Sequence, residues 1–507
     1  MSQTLNGSGN GHNGHNLIHQ LKKKMVQAQI SASPNAAKEN EVVFQTAEGI
    51  TLRGALSRMT RHAAVFELYN PSTTPRLSEA LDEFKIVFQE RTIYSGRAVV
   101  QSIVDAGTKV VCQATLNEAH WTDVDLNLVT KCDDRIVEEF SKFLGKWQNL
   151  YNILPEYKDA VADIEIFLTN LRLWLEQIEL GIRASPKHNQ AQLERGVIDK
   201  LSPRINPIIN GLFERFEKIA AGLDEDMRPV HRNYIQRQLH PIVLCAPFAD
   251  RAYQKPLGYP GDYEMVNMMA RDPQEGASIF AKIFNVWLHQ QGSALAHRNR
   301  LEDLAKRIEQ EALRVSRTGG KARIFNFACG PAIEVQNFLG NSLLSEKVEF
   351  TLADFNAETL EHTAKAIHII KERLGRHTSV QFQKKTVHQL LKESQKAIVT
   401  GNGTKREYDF IYCAGLFDYL TDLACQQLIK IFYQWLAPGG LMYLTNVTPL
   451  TTNRGSLELI LDWHLVYRDA AEMGRLCSGI IPKEMVRVRS DETGINIFLE
   501  ARKPTDD

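Results

Sequence analysis

The chain is predicted to be a multidomain α/β protein: a small N-terminal β-barrel, a helical middle, and a C-terminal parallel α/β sheet ending in an antiparallel hairpin. Three observations predict it. Residues 41–129 alternate apolar and polar side chains over short runs, residues 133–221 carry apolar stripes at helical spacing, and from residue 321 strand and helix patterns take turns. A length of 507 residues exceeds one hydrophobic core and suggests roughly three domains of about 150 residues.

Residues 1–40 are expected to be a disordered tail, since Gly, Asn and His dominate residues 6–16 and no apolar signal core is present. Residues 41–130 hold the expected barrel. Runs such as Ala64-Val-Phe-Glu-Leu68, Phe84-Lys-Ile-Val-Phe88 and Val110-Val-Cys-Gln-Ala-Thr-Leu116 alternate, and Gly49, Asn70-Pro71, Gly96 and Gly107 punctuate them. Residues 131–250 should be helical. Ile136, Val137, Phe140, Phe143, Leu144 and Trp147 share one helical face, and Ile164, Phe167, Leu168, Leu171, Trp174 and Ile178 share another. Pro155 separates those two helices, residues 184–190 read as a polar loop, and helix returns over residues 205–221.

Residues 251–320 are expected to form a helical lid and extension leading into the sheet domain, residues 321–507. Its strands are expected at residues 323–328, 348–354, 380–384, 409–413 and 440–446. A hairpin over residues 486–502, turning at Asp491-Glu-Thr-Gly494, closes the order.

The totals exclude several function classes. With 43% hydrophobic and 24% charged residues the composition is globular, and sixty acidic against sixty basic residues leave no excess to attract nucleic acid. No apolar run approaches the roughly 18 residues of a membrane span. Seven scattered cysteines without a C-x-x-C pair point to reduced thiols in a cytoplasm, with neither a zinc site nor a disulfide framework; no metal is expected.

The most informative block is Ile324-Phe-Asn-Phe-Ala-Cys-Gly-Pro-Ala-Ile-Glu-Val335, followed by Leu352-Ala-Asp354-Phe-Asn356. A buried strand that runs into a small-residue turn, opens a helix and leads to a second strand ending in an acid is nucleotide-cofactor geometry. Small side chains admit backbone N–H groups to the ligand, and the carboxylate of Asp354 can accept both ribose hydroxyls. Alanine permits close approach where φ is negative, so Gly330 alone is expected to need an unusual backbone angle, with Pro331 in the first helical turn.

This segment resembles the glycine-rich motif of the class I S-adenosylmethionine methyltransferases, with Ala328, Cys329, Gly330 and Ala332 at the motif positions and Asn326 where an acid is usual. The resemblance implies that Asp354 holds the ribose, Phe355 lies beside the adenine, Thr386 and Val387 cap the adenine edge, and Cys413, Ala414 and Gly415 form the floor under the sulfonium. The Tyr408-Asp-Phe-Ile strand and the Leu436-Ala-Pro-Gly-Gly440 turn fit the same pattern.

More specifically, residues 234–503 are similar to the extracellular-factor type, which makes the methyl ester of 3-hydroxypalmitic acid. The strings Gly258-Tyr-Pro-Gly-Asp-Tyr263, Gly415-Leu-Phe-Asp-Tyr419, and Trp463 with Tyr467-Arg468 carry that similarity. It implies an O-methyltransferase acting on the carboxylate of a small or lipid-like acid. A carboxylate is already ionised at neutral pH, so it needs a cation to orient it rather than a base. Arg468 or Arg298 could do so, or could bind the carboxylate of S-adenosylmethionine. Tyr263, Tyr259 and Tyr419 could hydrogen-bond substrate or pack the pocket. Asp418 is a base if the nucleophile is a hydroxyl and otherwise a helix cap, and His464, on a helical pattern, reads as structural.

The barrel resembles a PilZ domain, but Arg58-Met-Thr-Arg61 is one residue short of that domain's arginine string. Asn70-Pro-Ser-Thr-Thr-Pro75 ends in proline where glycine is needed. Cyclic di-GMP is therefore not the expected ligand; an interaction module or a homodimer contact is. Two other readings stay open: a methyltransferase for a hydroxyl or protein carboxylate, and a decayed enzyme that binds S-adenosylmethionine or a cyclic dinucleotide as a signal.

Overall fold

The computed structural model describes residues 40–69, 74–88, 91–105, 109–117, 120–121, 140–141, 153–400 and 407–505. The expected tail, the Asn70-Pro71 turn, Gly107 and most of the stripe over residues 136–147 lie outside the described residues.

Six antiparallel strands form a closed barrel: β1 (Asn40–Gln45), β2 (Thr51–Met59), β3 (Ala63–Tyr69), β4 (Ala80–Phe88), β5 (Arg91–Asp105) and β6 (Lys109–Leu116). Their order around the barrel is β1-β2-β3-β6-β5-β4. Alternation is the cause. Val42, Phe44, Phe66, Phe84, Tyr94 and Cys112 point inward and are buried, and the rings of Phe44, Phe66 and Phe84 pack at 5.3–5.7 Å. Closure leaves no free edge to pair with another chain.

The helical part comprises α1 (Pro155–Arg183), α2 (Lys187–Ala221), α3 (Arg228–Val243), α4 (Pro247–Gln254), α5 (Tyr263–Ala270), α6 (Ile279–His289) and α7 (Gly292–Ser316). Pro155 opens α1, where its missing N–H costs nothing. The expected loop over residues 184–190 is corrected: α2 starts at Lys187 and continues through Pro203 and Pro207. Prolines normally break a helix. Here a stripe of Ile198, Ile205, Ile209, Phe213 and Phe216, buried in the bundle, holds the course.

The C-terminal sheet is built from β7 (Ala322–Phe327), α8 (Ile333–Asn341), β8 (Val348–Asp354), α9 (Ala357–Leu374), β9 (Ser379–Lys384), α10 (Val387–Thr400), β10 (Tyr408–Cys413), α11 (Asp422–Trp435), β11 (Leu436–Val447), α12 (Ala470–Arg475), β12 (Val486–Ser490) and β13 (Asn496–Arg502). The order is β12-β13-β11-β10-β7-β8-β9, parallel except that β13 runs antiparallel to both neighbours. Strand order reverses between β7 and β10, which opens a crevice at the carboxyl ends of the strands. Two expectations are corrected. The Leu436–Gly440 turn is instead the start of β11, where the pairing with β10 shifts register and Gly439 takes φ +72°. Residues 462–469 are irregular rather than helical.

The turn after β7 also departs from expectation. Ala328 and Ala332, as well as Gly330, have positive φ, at +58°, +48° and +52°. Pro331 precedes the helix, whose cap is Ala332. A left-handed L-residue is strained by about 1–2 kcal/mol. Ala328→Gly and Ala332→Gly should therefore each raise stability by ~0.5–1 kcal/mol after the entropy of the added glycine is subtracted. Urea midpoints of the two variants measure this.

Candidate functional site

A cavity of about 760 Å³ opens at the carboxyl ends of β7, β8, β10 and β11 and runs back into the helical bundle. Its sheet side is lined by Asn326, the Ala328–Ala332 turn, Asp354, Phe355, Ala414 and Gly415. Asp354 ends β8 and is buried; its Oδ2 accepts from Gly330 N at 3.1 Å and its Oδ1 from Asn356 N at 3.0 Å. Each oxygen keeps a second lone pair for a ligand hydroxyl. Burial raises the Asp354 carboxyl above its ordinary value, against the pull of these N–H groups and of Arg76. A Cβ added at Gly330 would meet no atom within 4 Å, so the turn leaves open space above it.

The middle of the cavity is polar. Arg300, on α7, is 7% exposed and donates to His297 Nδ1 at 2.7 Å; its Nε has no partner. Burial depresses the guanidinium pKa, with Asp418, Tyr419 and Glu334 opposing. Desolvation and the two neighbouring arginines hold the His297 imidazole well below its ordinary value, so it is neutral and accepts. The Oδ1 of Asn326, also on the lining, is buried without a partner, while its amide donates to Glu334 at 3.1 Å. One cavity thus carries a buried donor and a buried acceptor that have no partner among the described residues. Thr451 Oγ1, Asn453 Oδ1 and Asn496 Oδ1 are further unpartnered atoms of the lining.

Asp418 and Tyr419 lie on a 3₁₀ turn after β10. The expected helix-cap role of Asp418 is corrected: Thr421 caps α11, and Asp418 Oδ1 accepts from Val447 N at 2.7 Å, tying the end of β11 to the end of β10. Burial pushes the Asp418 carboxyl up to about 6, with Arg300 opposing. The folded protein thus holds this proton more tightly than the unfolded chain, whose Asp titrates near ~3.9. That contribution to stability is complete below ~4 and is lost as pH rises through about 6. Asp418→Asn should accordingly stabilise the protein at pH 8 by on the order of 1–2 kcal/mol and leave stability at pH 4 nearly unchanged. Thermal melts at the two pH values check the sign.

The far side of the cavity is apolar. Phe213, Phe248, Met265, Phe284 and Trp287 come from the bundle, and Leu457, Ile460 and Trp463 from the segment after β11. Tyr419 OH accepts from Trp463 Nε1 at 3.0 Å, which fixes both rings at the junction of polar and apolar halves. Tyr259 reaches in from the segment before α5, its ring 5.3 Å from Phe355.

The cavity therefore brings together Ala328, Cys329, Gly330, Ala332, Asp354, Phe355, Ala414, Gly415, Asp418 and Tyr419. Six other candidates lie outside the lining. Arg468 is 2% exposed and donates to the carbonyls of Phe417 and Leu420, to Asn446 and to Asp422, fastening two loops. Arg298 donates to the carbonyl of His289. Tyr263 donates to Glu358 and packs on His362, so it latches the start of α5 to α9. Thr386 caps α10 by accepting from Gln389 N, Val387 begins that helix, and the Cys413 thiol is buried within the sheet. His464 is buried, with its ring pushed down to about 3 by desolvation. Sequence reading missed Arg300 although a signal existed. His297, Arg300, Leu301 and Leu304 repeat at helical spacing on the cavity side, and Arg298 falls off that face.

No family model and no curated protein matches the chain. Solved structures similar to it include a possible exported protein from Bordetella parapertussis, at 17% identity over 49% of this chain and 82% of that one, with a TM-score of 0.38. Magnesium protoporphyrin IX methyltransferase from Synechocystis, solved with bound S-adenosylhomocysteine, is similar at 10% identity over 54% of this chain and 99% of that one, TM-score 0.31. An O-methyltransferase family protein from Burkholderia thailandensis is similar at 14% identity over 55% and 72%, TM-score 0.32.

Proposed function

We propose that the chain is an S-adenosylmethionine-dependent methyltransferase that methylates a carboxylate oxygen of a small or fatty-acid-like molecule. The carrying observation is the cavity itself: one end offers Asp354 over a small-residue turn, the centre offers the unpartnered Arg300 Nε and Asn326 Oδ1, and the rest is an apolar chamber. S-adenosylmethionine, when bound, supplies a methyl group on a positively charged sulfur. Asp354 would accept from the ribose hydroxyls, Arg300 would pair with the donor's carboxylate, and Asn326 with Glu334 would receive its ammonium.

The apolar wall would take the acceptor's hydrocarbon and exclude water, and Tyr419, held by Trp463 at the edge of that wall, would hydrogen-bond the acceptor's polar head. Orientation of this kind alone supplies several kcal/mol. A carboxylate nucleophile requires no proton removal, so Asp418 is left to its structural bond. The resemblance of the barrel to a PilZ domain supports a regulatory or interaction role for it, in a reducing, cytoplasmic setting.

Titration calorimetry with S-adenosylhomocysteine, then turnover of radiolabelled S-adenosylmethionine over a panel of fatty and 3-hydroxy fatty acids, tests the reading. Micromolar binding with label in an organic-soluble ester is the expected result; no binding at millimolar ligand overturns it. The strained alanines of the turn favour one second reading, a receptor that binds the donor without transferring it. Binding without product on any acceptor would select that reading.

A further inference from the structure

We infer that the barrel is part of the ligand site and supplies Arg76 as a wall of the pocket that receives the adenosine end of the donor. This rests on the function proposed above. Arg76 lines the cavity, with its guanidinium 3.9 Å above the ring of Phe355. It is the barrel's only side chain, with Leu77, among the described residues of the lining. Its charge acts on Asp354, and its Nη2 also pairs with Glu48 at 2.9 Å.

The segment that carries Arg76 is wedged against the sheet domain rather than draped over it. Glu79 accepts from Ala47 N at 2.7 Å and from Arg76 N at 2.6 Å, which shapes the wedge. Ser78, fully buried at φ +59°, donates to the carbonyl of His464 at 2.7 Å and accepts from the His464 N–H. Ala80 N donates to the carbonyl of Gly258 at 2.7 Å, and a Cβ on Gly258 would fall 2.3 Å from that of Ala47. Both contacted segments lead directly into the cavity lining at Tyr259, Gly261, Trp463 and Leu465. A fixed cation beside a ring and a buried carboxylate has two uses. It offers a planar face to a purine and it favours the ionised form of Asp354.

The test uses the full chain and its Arg76→Met, Arg76→Lys and Arg76→Gln variants, with S-adenosylhomocysteine and 5′-methylthioadenosine as probes. Both probes carry the adenosine, so Arg76→Met should weaken both about tenfold, with Arg76→Lys intermediate because charge survives and planarity does not. A second readout is pH. Asp354 is faced by Arg76, Tyr259, Cys329 and the N–H groups of Gly330, Phe355 and Asn356. Removing the cation should move the acid limb of donor binding to higher pH; a merely structural arginine would not move it. Unchanged affinity and an unchanged acid limb in a folded variant, Arg76→Gln serving if Arg76→Met does not fold, overturn this inference and leave the donor site standing. Failure of the wild-type chain to bind either probe overturns both.

Discussion

Asp354→Ala is expected to raise the dissociation constant for S-adenosylhomocysteine by about 100-fold or more. Hydrogen bonds to a charged acceptor are worth roughly 1.5–3 kcal/mol each, and two ribose hydroxyls share this carboxylate in the proposed complex. The same change also strips an acceptor from Gly330 N and Asn356 N, so the turn itself loosens. Asp354→Asn separates the two effects: its carbonyl oxygen can still receive one of those N–H groups, while the charge is gone. If both variants bind as the wild type does in calorimetry, Asp354 is not the ribose acceptor.

Arg300→Met carries the second largest expectation. The guanidinium is buried, has an unsatisfied Nε and forms no ion pair among the described residues, Asp418 and Glu334 acting on it without direct contact, which leaves room for an anionic ligand. Loss of a buried charge-assisted pair costs about 2–3 kcal/mol, or ~30–150-fold in affinity. The penalty should fall on S-adenosylhomocysteine and spare 5′-methylthioadenosine, which lacks the amino-acid end. Equal losses for both ligands would move Arg300 from that end of the donor. The fold should lose little, because methionine fills a similar volume and removes the desolvation cost of a buried cation, which offsets the donor lost to His297.

The sheet was legible because its strands are short apolar runs bounded by turn residues, and Asp354 was legible because its place at the end of the second strand is set by that pattern. The barrel was legible from alternation alone. The helix through Pro203 and Pro207 was not, because packing of a distant bundle overrides a local rule. Arg298 and Arg300 look alike in the sequence, and only the helical face tells which of the two looks inward. Tyr263 and Arg468 sit in motifs that border the cavity, yet each turns to a local partner, Glu358 and the Phe417 carbonyl respectively. Arg76 lies far from the sheet in sequence, and nothing local marks it. The left-handed alanines were invisible for a different reason, since alanine ordinarily avoids that region.

The loop after β11 takes its shape from outside its own sheet. Asp462, at φ +52°, is clamped by Arg232 of the helical bundle and by Gln236, and Ser78 of the barrel clasps the backbone of its neighbour His464. A protease nick in the chain between barrel and bundle would therefore leave both fragments attached, co-eluting as one particle in native buffer and parting only in denaturant. Severed polypeptide, undivided molecule.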